Sequence, residues 1–407
     1  MPLRRGIRSI AGAVAIVATT AAAPAAAQEQ PPAAGRAAIL EQAQTEKASA
    51  LRPYEPDKVE DILNRVEKVL LRGVHLHPFF VSAYSGGGFT IGAGYLRHVS
   101  AYNTLDLRGS YTFSGYKRLE AEFVAPRLFN RRGAMTVTGG WREATQVGFY
   151  GLGTENTSAN DRSNYAFDQP YGSATVDFWP ARKLLLMRGG LELSTWNTAP
   201  GGGTAKSVDE VYTAATLPGL GAAPTYLHSA ATIALDSRPA PGYARRGSFF
   251  GVTYHDFHDQ GGQFGFNRLD YEATQHVPIF KETWVLSLHA RTELAVGANG
   301  QAVPYFMLPA LGGGSNLRGF PSWRFRDLNS LLLQAEWRVI GSRLVDMALF
   351  YDAGRVAARR QDLTSAPLKS DYGVGFRLHG RVATPLRIEI AHSNEGFRLV
   401  FSSKAPF

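Results

Sequence analysis

Apolar and polar residues alternate over much of the chain, with a period of two residues. In the segment LVDMALFYDAG (344–354), large apolar residues occupy odd-numbered positions and two aspartates occupy even-numbered positions. The segments SLLLQAEWRV (330–339) and YGVGFRLH (372–379) are divided in the same way. Successive side chains of a β-strand point to opposite faces of its sheet. The pattern therefore predicts strands with one apolar face and one polar face.

Segments of this kind recur along residues 77–407, and their number and length favour a membrane barrel. Several reach about ten residues, the length that a tilted strand needs to cross a bilayer. The predicted strands are 77–84, 88–98, 103–113, 117–125, 134–144, 165–178, 184–196, 225–238, 248–259, 264–277, 283–296, 330–339, 344–355, 371–379, 386–393 and 397–407. Short turns alternate with longer polar loops between them, as in outer-membrane barrels. We predict an all-β fold, a transmembrane antiparallel β-barrel of about 16 strands; a soluble β-sandwich also alternates and stands as the alternative.

The first residues carry the pattern of a secretory signal peptide. A basic start, MPLRRGIR, precedes the small apolar run SIAGAVAIVATTAAAP, and AAA at 25–27 supplies a cleavage site. The run is too short to be a membrane-spanning helix. We therefore predict a signal peptide at residues 1–27 and export of the remainder.

Two further segments precede the first predicted strand. Residues 28–55 are rich in Ala, Gln, Glu and Pro without periodicity, which predicts a disordered or loosely helical segment. Residues 56–73 carry an apolar stripe with helical spacing, a capping box formed by Asp57 and Glu60, and Gly73 as a stop signal. We predict a short amphipathic helix there, placed at the mouth of the barrel or in its lumen.

Composition and scattered motifs argue against catalysis, nucleic-acid binding and metal binding. The net charge of +9 is spread along the chain, whereas nucleic-acid binding requires a basic patch. His392 and Ser393 are adjacent, so a regular strand points them to opposite faces, which argues against a nucleophile–base pair. The segment HDFHD (255–259) could hold a metal with His255 and His258, but no further ligand set is visible nearby in the sequence. We predict no enzymatic activity, no cofactor and no metal.

The stretch GGGSNLRGFPSWRFRD (312–327) is both flexible and basic. Gly312, Gly313 and Gly314 provide the turn freedom that lets a loop double back, and Gly319 permits a close backbone approach. By itself such a loop has three interpretations: a ligand clamp, a nucleic-acid contact or an exposed surface loop.

Several motifs occur in an order that resembles a known family. They are LRGF (317–320), AEWR (335–338), FYDAG (350–354), GVGFRL (373–378), the C-terminal LRIEIAHSNEGFRLVFSSKAPF and, upstream, LDSRPAPGYARRGSFF (235–250) and FYGLGTEN (149–156). Over residues 77–407 this set resembles the bacterial surface antigen family, the barrels of the BamA/TamA type and of two-partner-secretion transporters. Arg318, Gly319 and Phe320 stand at the positions of that family's Arg-Gly-aromatic motif.

The resemblance implies that the loop around residues 317–320 folds back into the barrel lumen and that its arginine meets acidic groups on the wall. The alternation independently places Glu336 and Asp352 on the luminal faces of the next two predicted strands, with Gly354 on the same face as Asp352. A guanidinium can pair with a carboxylate in bidentate geometry. We therefore predict that Arg318 pairs with Asp352, with Glu336 nearby; an arginine in a solvated loop is the alternative.

The C-terminal segment carries a second signal. After Gly396, the large apolar residues share one parity, and this predicted outer face consists of Phe397, Leu399, Phe401 and Phe407. An apolar face that ends in a terminal phenylalanine resembles the signal by which outer-membrane barrels enter the assembly machinery. We expect that machinery to be a partner during the protein's own biogenesis; an ordinary closing strand is the alternative.

The resemblance implies an assembly or translocation barrel in the outer membrane of a Gram-negative bacterium, aiding insertion or transport of proteins or lipids through a lumen gated by the Arg-Gly-Phe loop. BamA/TamA-type proteins carry periplasmic POTRA domains before the barrel, whereas only a short segment separates Gln28 from the first predicted strand. This difference keeps two alternatives open: a passive channel or structural surface antigen, and a barrel subunit that depends on a separate periplasmic partner. The expected partners are outer-membrane lipid, the assembly machinery, and a client or periplasmic protein, with no nucleic acid.

Overall fold

The computed structural model of the protein describes residues 41–46, 75–155, 158–181, 184–280 and 282–407. Residues 41–46 form a short exposed helix. The predicted signal peptide (1–27), the predicted amphipathic helix (56–73) and most of segment 28–55 lie outside the described residues. Among the described residues, no helix has the length and apolar character needed to cross a membrane.

The rest of the described chain consists mainly of β-strands. In chain order they are β1 (Leu76–Pro78), β2 (Thr90–His98), β3 (Thr104–Thr112), β4 (Lys117–Leu128), β5 (Gly133–Phe149), β6 (Ser163–Ala181), β7 (Leu185–Thr195), β8 (Asn197–Pro200), β9 (Thr225–Asp236), β10 (Gly247–Asp259), β11 (Phe266–Phe280), β12 (Trp284–Gly297), β13 (Ala310–Leu311), β14 (Phe325–Arg326), β15 (Asn329–Ile340), β16 (Val345–Ala357), β17 (Lys369–Leu378), β18 (Leu386–Ser393) and β19 (Gly396–Ser402). Helical turns within this part are Ala159–Asp161, Val208–Val211, Pro241–Tyr243, Ala298–Gly300 and Arg360–Leu363.

Antiparallel pairing joins strands that follow one another along the chain into one large sheet. The ladder runs from β1 through β7, continues from β7 to β9 and through β12, and then passes from β12 to β15 and on to β19. Strand β8 pairs with β6 beyond the end of β7, and β13 and β14 form a small hairpin within the loop between β12 and β15. In the described part of the chain, these pairs leave β1 and β19 as the two ends of the sheet.

The predicted all-β antiparallel fold is confirmed, and each of the sixteen predicted segments overlaps a strand of the sheet. The first prediction (77–84) is too long, because β1 ends at Pro78 and the chain soon enters a turn with Gly86 and Gly88 at positive φ. The last prediction (397–407) is also too long, because β19 ends at Ser402. The short strands β8, β13 and β14 were not predicted.

The two faces of the sheet differ as the alternation requires. In β16, Leu349 and Tyr351 are about half exposed on the outer face, whereas Asp346 and Asp352 are fully buried on the inner face. Exposed large apolar side chains recur on the outer face of most strands, including β2, β7, β10 and β18. A water-soluble sheet rarely exposes so continuous an apolar surface, so this face fits lipid. Trp284 and Trp337 lie together at the short-turn end, with ring centroids 5.7 Å apart, as an aromatic girdle requires.

The inner space at the long-loop end holds an aromatic core. Loop residues such as Tyr305 and Phe306 pack there against strand residues such as Tyr165, Phe167 and Trp196. Tyr305 lies edge-on to Tyr165 with 5.0 Å between ring centroids, and Phe306 stacks on Trp196 at 5.5 Å. The loop between β12 and β15 therefore enters the lumen and is held there by packing.

A charge placed on the outer face tests its assignment to lipid. We expect Leu349→Arg to lower the free energy of unfolding by about 2–4 kcal/mol, because the guanidinium enters hydrocarbon. The matched control is Thr138→Arg, which places the same side chain in a polar luminal cavity instead of hydrocarbon and should cost much less. That cavity is lined by both charges: Glu120, Glu122, Glu192, Arg108, Arg118 and Arg142. Urea unfolding in phospholipid vesicles measures both; equal losses would contradict the assignment of the two faces.

Candidate functional site

The loop between β13 and β14 doubles back on itself through backbone geometry that glycine allows. Gly312 and Gly313 have φ values of 112° and 106°, a region that favours glycine. A Cβ on Gly312 would lie 2.2 Å from the Pro321 carbonyl oxygen. The backbone N–H groups of Gly313 and Phe320 both donate to the Leu317 carbonyl, at 3.1 and 3.2 Å. The result is a compact loop with Arg318 at its tip.

Arg318 is fully buried and is surrounded by carboxylates. Its Nε and Nη2 donate to the two carboxylate oxygens of Asp352, each at 2.7 Å, in bidentate geometry. Its Nη1 donates to Glu389 at 3.1 Å and to Glu336 at 3.3 Å. The guanidinium carbon also lies 3.5 Å from the ring centroid of Phe350, a cation–π contact. The structure thus brings together the predicted residues Arg318, Asp352 and Glu336.

The carboxylates converge because of strand register. Glu336 is on β15, Asp352 on β16 and Glu389 on β18, and all three point to the luminal face. Glu389 was missed by the sequence analysis. The available signal was the alternation in LRIEIAHS (386–393), which places Glu389 on the polar face of a predicted strand.

Further arginines from the wall balance the carboxylates. Arg377 pairs with Glu336 and lies 3.1 Å from Glu389, and Arg387 lies 3.2 Å from Glu389. A buried charge costs several kcal/mol unless paired, and here each of these charges has a partner of opposite sign. Burial alone would lower the pKa of the Arg318 guanidinium, but Asp352 and the two glutamates hold that pKa above its usual value. Arg318 therefore stays cationic in its buried position.

Side chains from two strands, β15 and β18, also hold the backbone of the loop. They donate hydrogen bonds to loop carbonyl oxygens: Gln334 to Asn316 at 2.9 Å, Arg387 to Gly314 at 2.6 Å, and Ser393 to Gly319 at 2.9 Å. Gly319 lies so close to the wall that a Cβ there would be 2.6 Å from Cβ of Asp371 and 3.0 Å from Cβ of Ser393. Only glycine fits this approach without displacing the loop.

An apolar cluster fixes the other side of the loop. Phe320 and Leu317 are completely buried in a cluster with Leu311, Phe325, Leu332 and Val356. Gly354 on β16 makes room for it, because a Cβ there would lie 2.8 Å from Leu311 and 3.5 Å from Leu317. Arg318 and Phe320 therefore anchor the loop by charge and by packing.

The C-terminal residues divide into two groups. Gly396 opens β19 with a φ of 107°, and Phe397, Leu399 and Phe401 are exposed on the outer face. Phe407 does not continue this face, contrary to the expectation from parity. Beyond Ser402 the chain turns into the lumen, where the Phe407 ring stacks on His289 at 4.9 Å between centroids and approaches His276 at 6.2 Å.

The histidines considered for catalysis or metal binding lie apart from one another. Ser393 is buried on the luminal face, whereas His392 packs against Phe397 on the outer side of β18, with ring centroids 4.4 Å apart. His255 lies inside the barrel next to His228, at 2.9 Å between ring nitrogens, and His258 is exposed on the other face of β10. No group of three or more potential metal ligands is found within the described ranges. What the site can do is mechanical: its ion pairs fix a loop inside the lumen.

Comparison with known proteins places this geometry in a family. The model of the Omp85 superfamily domain matches residues 77–397. The fold is similar to the structure of BamA from Haemophilus ducreyi lacking POTRA domains 1–3, with 13% identity and a TM-score of 0.59, covering 78% of this chain and 68% of that one. No curated protein sequence gave a match.

Two CdiB structures are similar as well. CdiB from Escherichia coli matches with 12% identity and a TM-score of 0.53, over 79% of this chain and 58% of that chain. CdiB from Acinetobacter baumannii matches with 11% identity and a TM-score of 0.50, over 77% and 55%. The chain thus spans little more than half the length of these two proteins, and at such identities the likeness concerns the fold.

Removal of the Arg318 guanidinium tests the ion-pair anchor. We expect Arg318→Ala to lower the free energy of unfolding by about 3–5 kcal/mol, because it leaves buried carboxylates uncompensated. Arg318→Lys should recover part of the loss, since an ammonium keeps the charge but loses the bidentate geometry. The control is Arg246→Ala, whose exposed ion pair with Glu282 should matter little. Urea unfolding of the refolded protein is the measurement, and similar midpoints for the two alanine variants would refute the anchor.

Addition of one methyl group tests the close approach of the loop. Gly319→Ala should displace the loop from Asp371 and Ser393 and expose the chain around Arg318 and Arg324 to trypsin, which mass spectrometry of the fragments detects. Gly172→Ala serves as control, because nothing lies within 4 Å of its added Cβ. Unchanged cleavage in Gly319→Ala would show that the loop does not depend on this contact.

Proposed function

The chain belongs to the Omp85 superfamily, as a BamA/TamA-type barrel of the Gram-negative outer membrane, and from this premise we propose that it aids the insertion or transport of proteins or lipids. The Arg-Gly-Phe loop acts as the gate of the lumen in this proposal. The observation that carries it is the complete burial of Arg318 among Asp352, Glu389 and Glu336. A loop that only covered the surface would not require a charge to be desolvated in this way.

The contents of the lumen support a gate rather than an open pore. The lumen holds the aromatic core at the long-loop end and, in addition, the apolar cluster around Leu317 and Phe320 of the Arg-Gly-Phe loop. Both clusters occupy space that an open pore would leave to water. A passive channel built from about 16 strands would need a water-filled path through its lumen. Passage of a client requires that Arg318 leave its carboxylates, and the cost of that separation sets the closed state as the resting state.

The proposal includes partners and biogenesis. Outer-membrane lipid contacts the apolar outer face, and a client or periplasmic protein is the second expected partner. In this proposal, export directed by residues 1–27 precedes insertion by the barrel-assembly machinery. That machinery recognises the C-terminal signal, which consists of Gly396, Phe397, Leu399, Phe401 and Phe407. Because Phe407 lies inside the folded barrel, the complete signal is accessible only before folding ends. The proposal assigns no catalytic reaction to the chain.

Depletion of the protein followed by quantitative outer-membrane proteomics tests the proposal. We expect the abundance of a defined set of other barrels or surface proteins to decrease after depletion. The same set should decrease in a separate strain that carries Arg318→Ala at wild-type abundance. A strain with Arg246→Ala should resemble the wild type. An unchanged outer-membrane composition and lipid content after depletion would refute the assembly role and favour a channel or surface antigen, for which solute flux is the next measurement.

A further inference from the structure

A second segment crosses the lumen at the opposite end of the barrel. The turn between β9 and β10 (residues 237–246) contains Tyr243, which is only 4% exposed. The Tyr243 hydroxyl donates to Oδ2 of Asp346 at 2.6 Å, and its ring stacks on His379 with centroids 4.1 Å apart and an interplanar angle of 7°. His379 Nε2 lies 2.9 Å from the other carboxylate oxygen of Asp346. These three side chains form a closed, buried contact.

The backbone of the turn is tied to the same wall. Thr384 donates to the Gly242 carbonyl at 3.2 Å, and the Arg338 guanidinium donates to the Ala244 carbonyl. A Cβ on Gly242 would lie 2.6 Å from the Val382 carbonyl oxygen, so glycine permits the approach. The turn is therefore held against the wall both by the Tyr243 side chain and by its own backbone.

This docking joins strands that are not neighbours in the sheet. Strands β11, β12 and β15 lie between β10 and β16, so the turn reaches over the luminal side of three intervening strands. The base of the turn is stiff, because Arg238 forms a bidentate pair with Asp236 at 3.0 Å and Pro239 and Pro241 restrict the backbone. A stiff turn that reaches across the lumen obstructs the short-turn end.

The carboxylate of Glu336 links the turn to the loop between β13 and β14 (residues 312–324), here called the Arg318 loop. The Nε of Arg338 lies 3.9 Å from Oε1 of Glu336, and Oε2 of Glu336 lies 3.3 Å from Nη1 of Arg318. Arg338 thus contacts the turn through the Ala244 carbonyl and the loop through Glu336. Charges this close inside a protein interact strongly because the local dielectric is low.

We propose that residues 237–246 are a second latch, which closes the short-turn end of the lumen and is coupled to the Arg318 loop through Arg338 and Glu336. Release of either segment weakens the other, since coupling between two sites is reciprocal. Tyr243 is a positioning residue of this latch. The role of the latch in transport rests on the proposed function, whereas the latch and its coupling are properties of the barrel alone.

The absence of cysteine from the sequence allows single-cysteine reporters. Ala244→Cys is the turn reporter, because Ala244 is 4% exposed, and Ser322→Cys is the loop reporter for the Arg318 loop. In the purified full chain we expect Tyr243→Phe to accelerate maleimide labelling of the turn reporter by about tenfold, through loss of a hydrogen bond to a charged group. Labelling of the loop reporter should also accelerate, and Arg318→Ala should accelerate labelling of the turn reporter. The combined variant should depart from the product of the single effects.

Arg359→Ala is the control, because it removes an exposed arginine whose ion pair with Asp362 lies outside both the latch and the Arg318 loop; it should leave both labelling rates unchanged. Where Tyr243→Phe fails to fold, judged by heat-modifiable mobility, Thr384→Val replaces it, because it keeps the side-chain volume and removes the hydroxyl that donates to the Gly242 carbonyl. No acceleration at the turn reporter would overturn the latch. Acceleration confined to the mutated segment would overturn the coupling and with it the proposal. The measurement needs no client, so its failure is distinguishable from failure of the assembly role.

Discussion

The burial of one guanidinium is the constraint on which the rest of the structure depends. Arg318 enters a lumen position with no solvent exposure, and a charge there is stable only if carboxylates meet it with good geometry. Those carboxylates come from β15, β16 and β18, so three strands must hold a common register. A slip of one residue would turn the carboxylates toward lipid. The loop therefore depends on the sheet, and the correct register of the sheet is reinforced by the loop.

The two walls of the lumen differ in what they hold. The wall of β15–β18 receives the Arg318 loop from the long-loop end and the Tyr243 turn from the short-turn end. On the wall of β3–β7, the ion pairs join neighbouring strands, such as Arg108 with Glu122 at 2.8 Å, around a polar cavity of about 240 Å³. Movement of the Tyr243 turn thus breaks contacts to the β15–β18 wall. Movement of the Arg318 loop also breaks contacts outside that wall, because Trp323 donates to the Ser85 carbonyl at 2.8 Å and stacks on Tyr84.

Alternation predicted the strands and their faces because a strand has no other periodicity available. It placed Glu336 and Asp352 correctly on the luminal side, and the family resemblance supplied Arg318 as their partner. Whether a residue number is odd or even predicts the face of the sheet on which a side chain lies. It does not predict the position of that side chain along the barrel axis, which depends on the register between strands, so Glu389 was not recognised as a third partner of Arg318. Parity also ends with the strand: Phe407 follows five residues after Ser402, the last residue of β19, and lies inside. Tyr243 was not recognised because it lies in a turn, where the direction of successive side chains follows no fixed period.

The ends of the sheet are held unequally, and this bears on where a barrel of this kind can yield. In the described residues β1 is three residues long and ends in Pro78, which has no N–H to donate to a neighbouring strand. The opposite end is tied down beyond its own ladder. Strand β18 contributes Glu389 to the Arg318 cluster, and the segment after β19 carries Phe407 to His289 on β12. Movement of the β19 side therefore requires displacement of the Arg318 cluster and of the C-terminal segment, whereas the β1 side meets the same loop through Trp323, which donates to the Ser85 carbonyl at 2.8 Å and stacks on Tyr84.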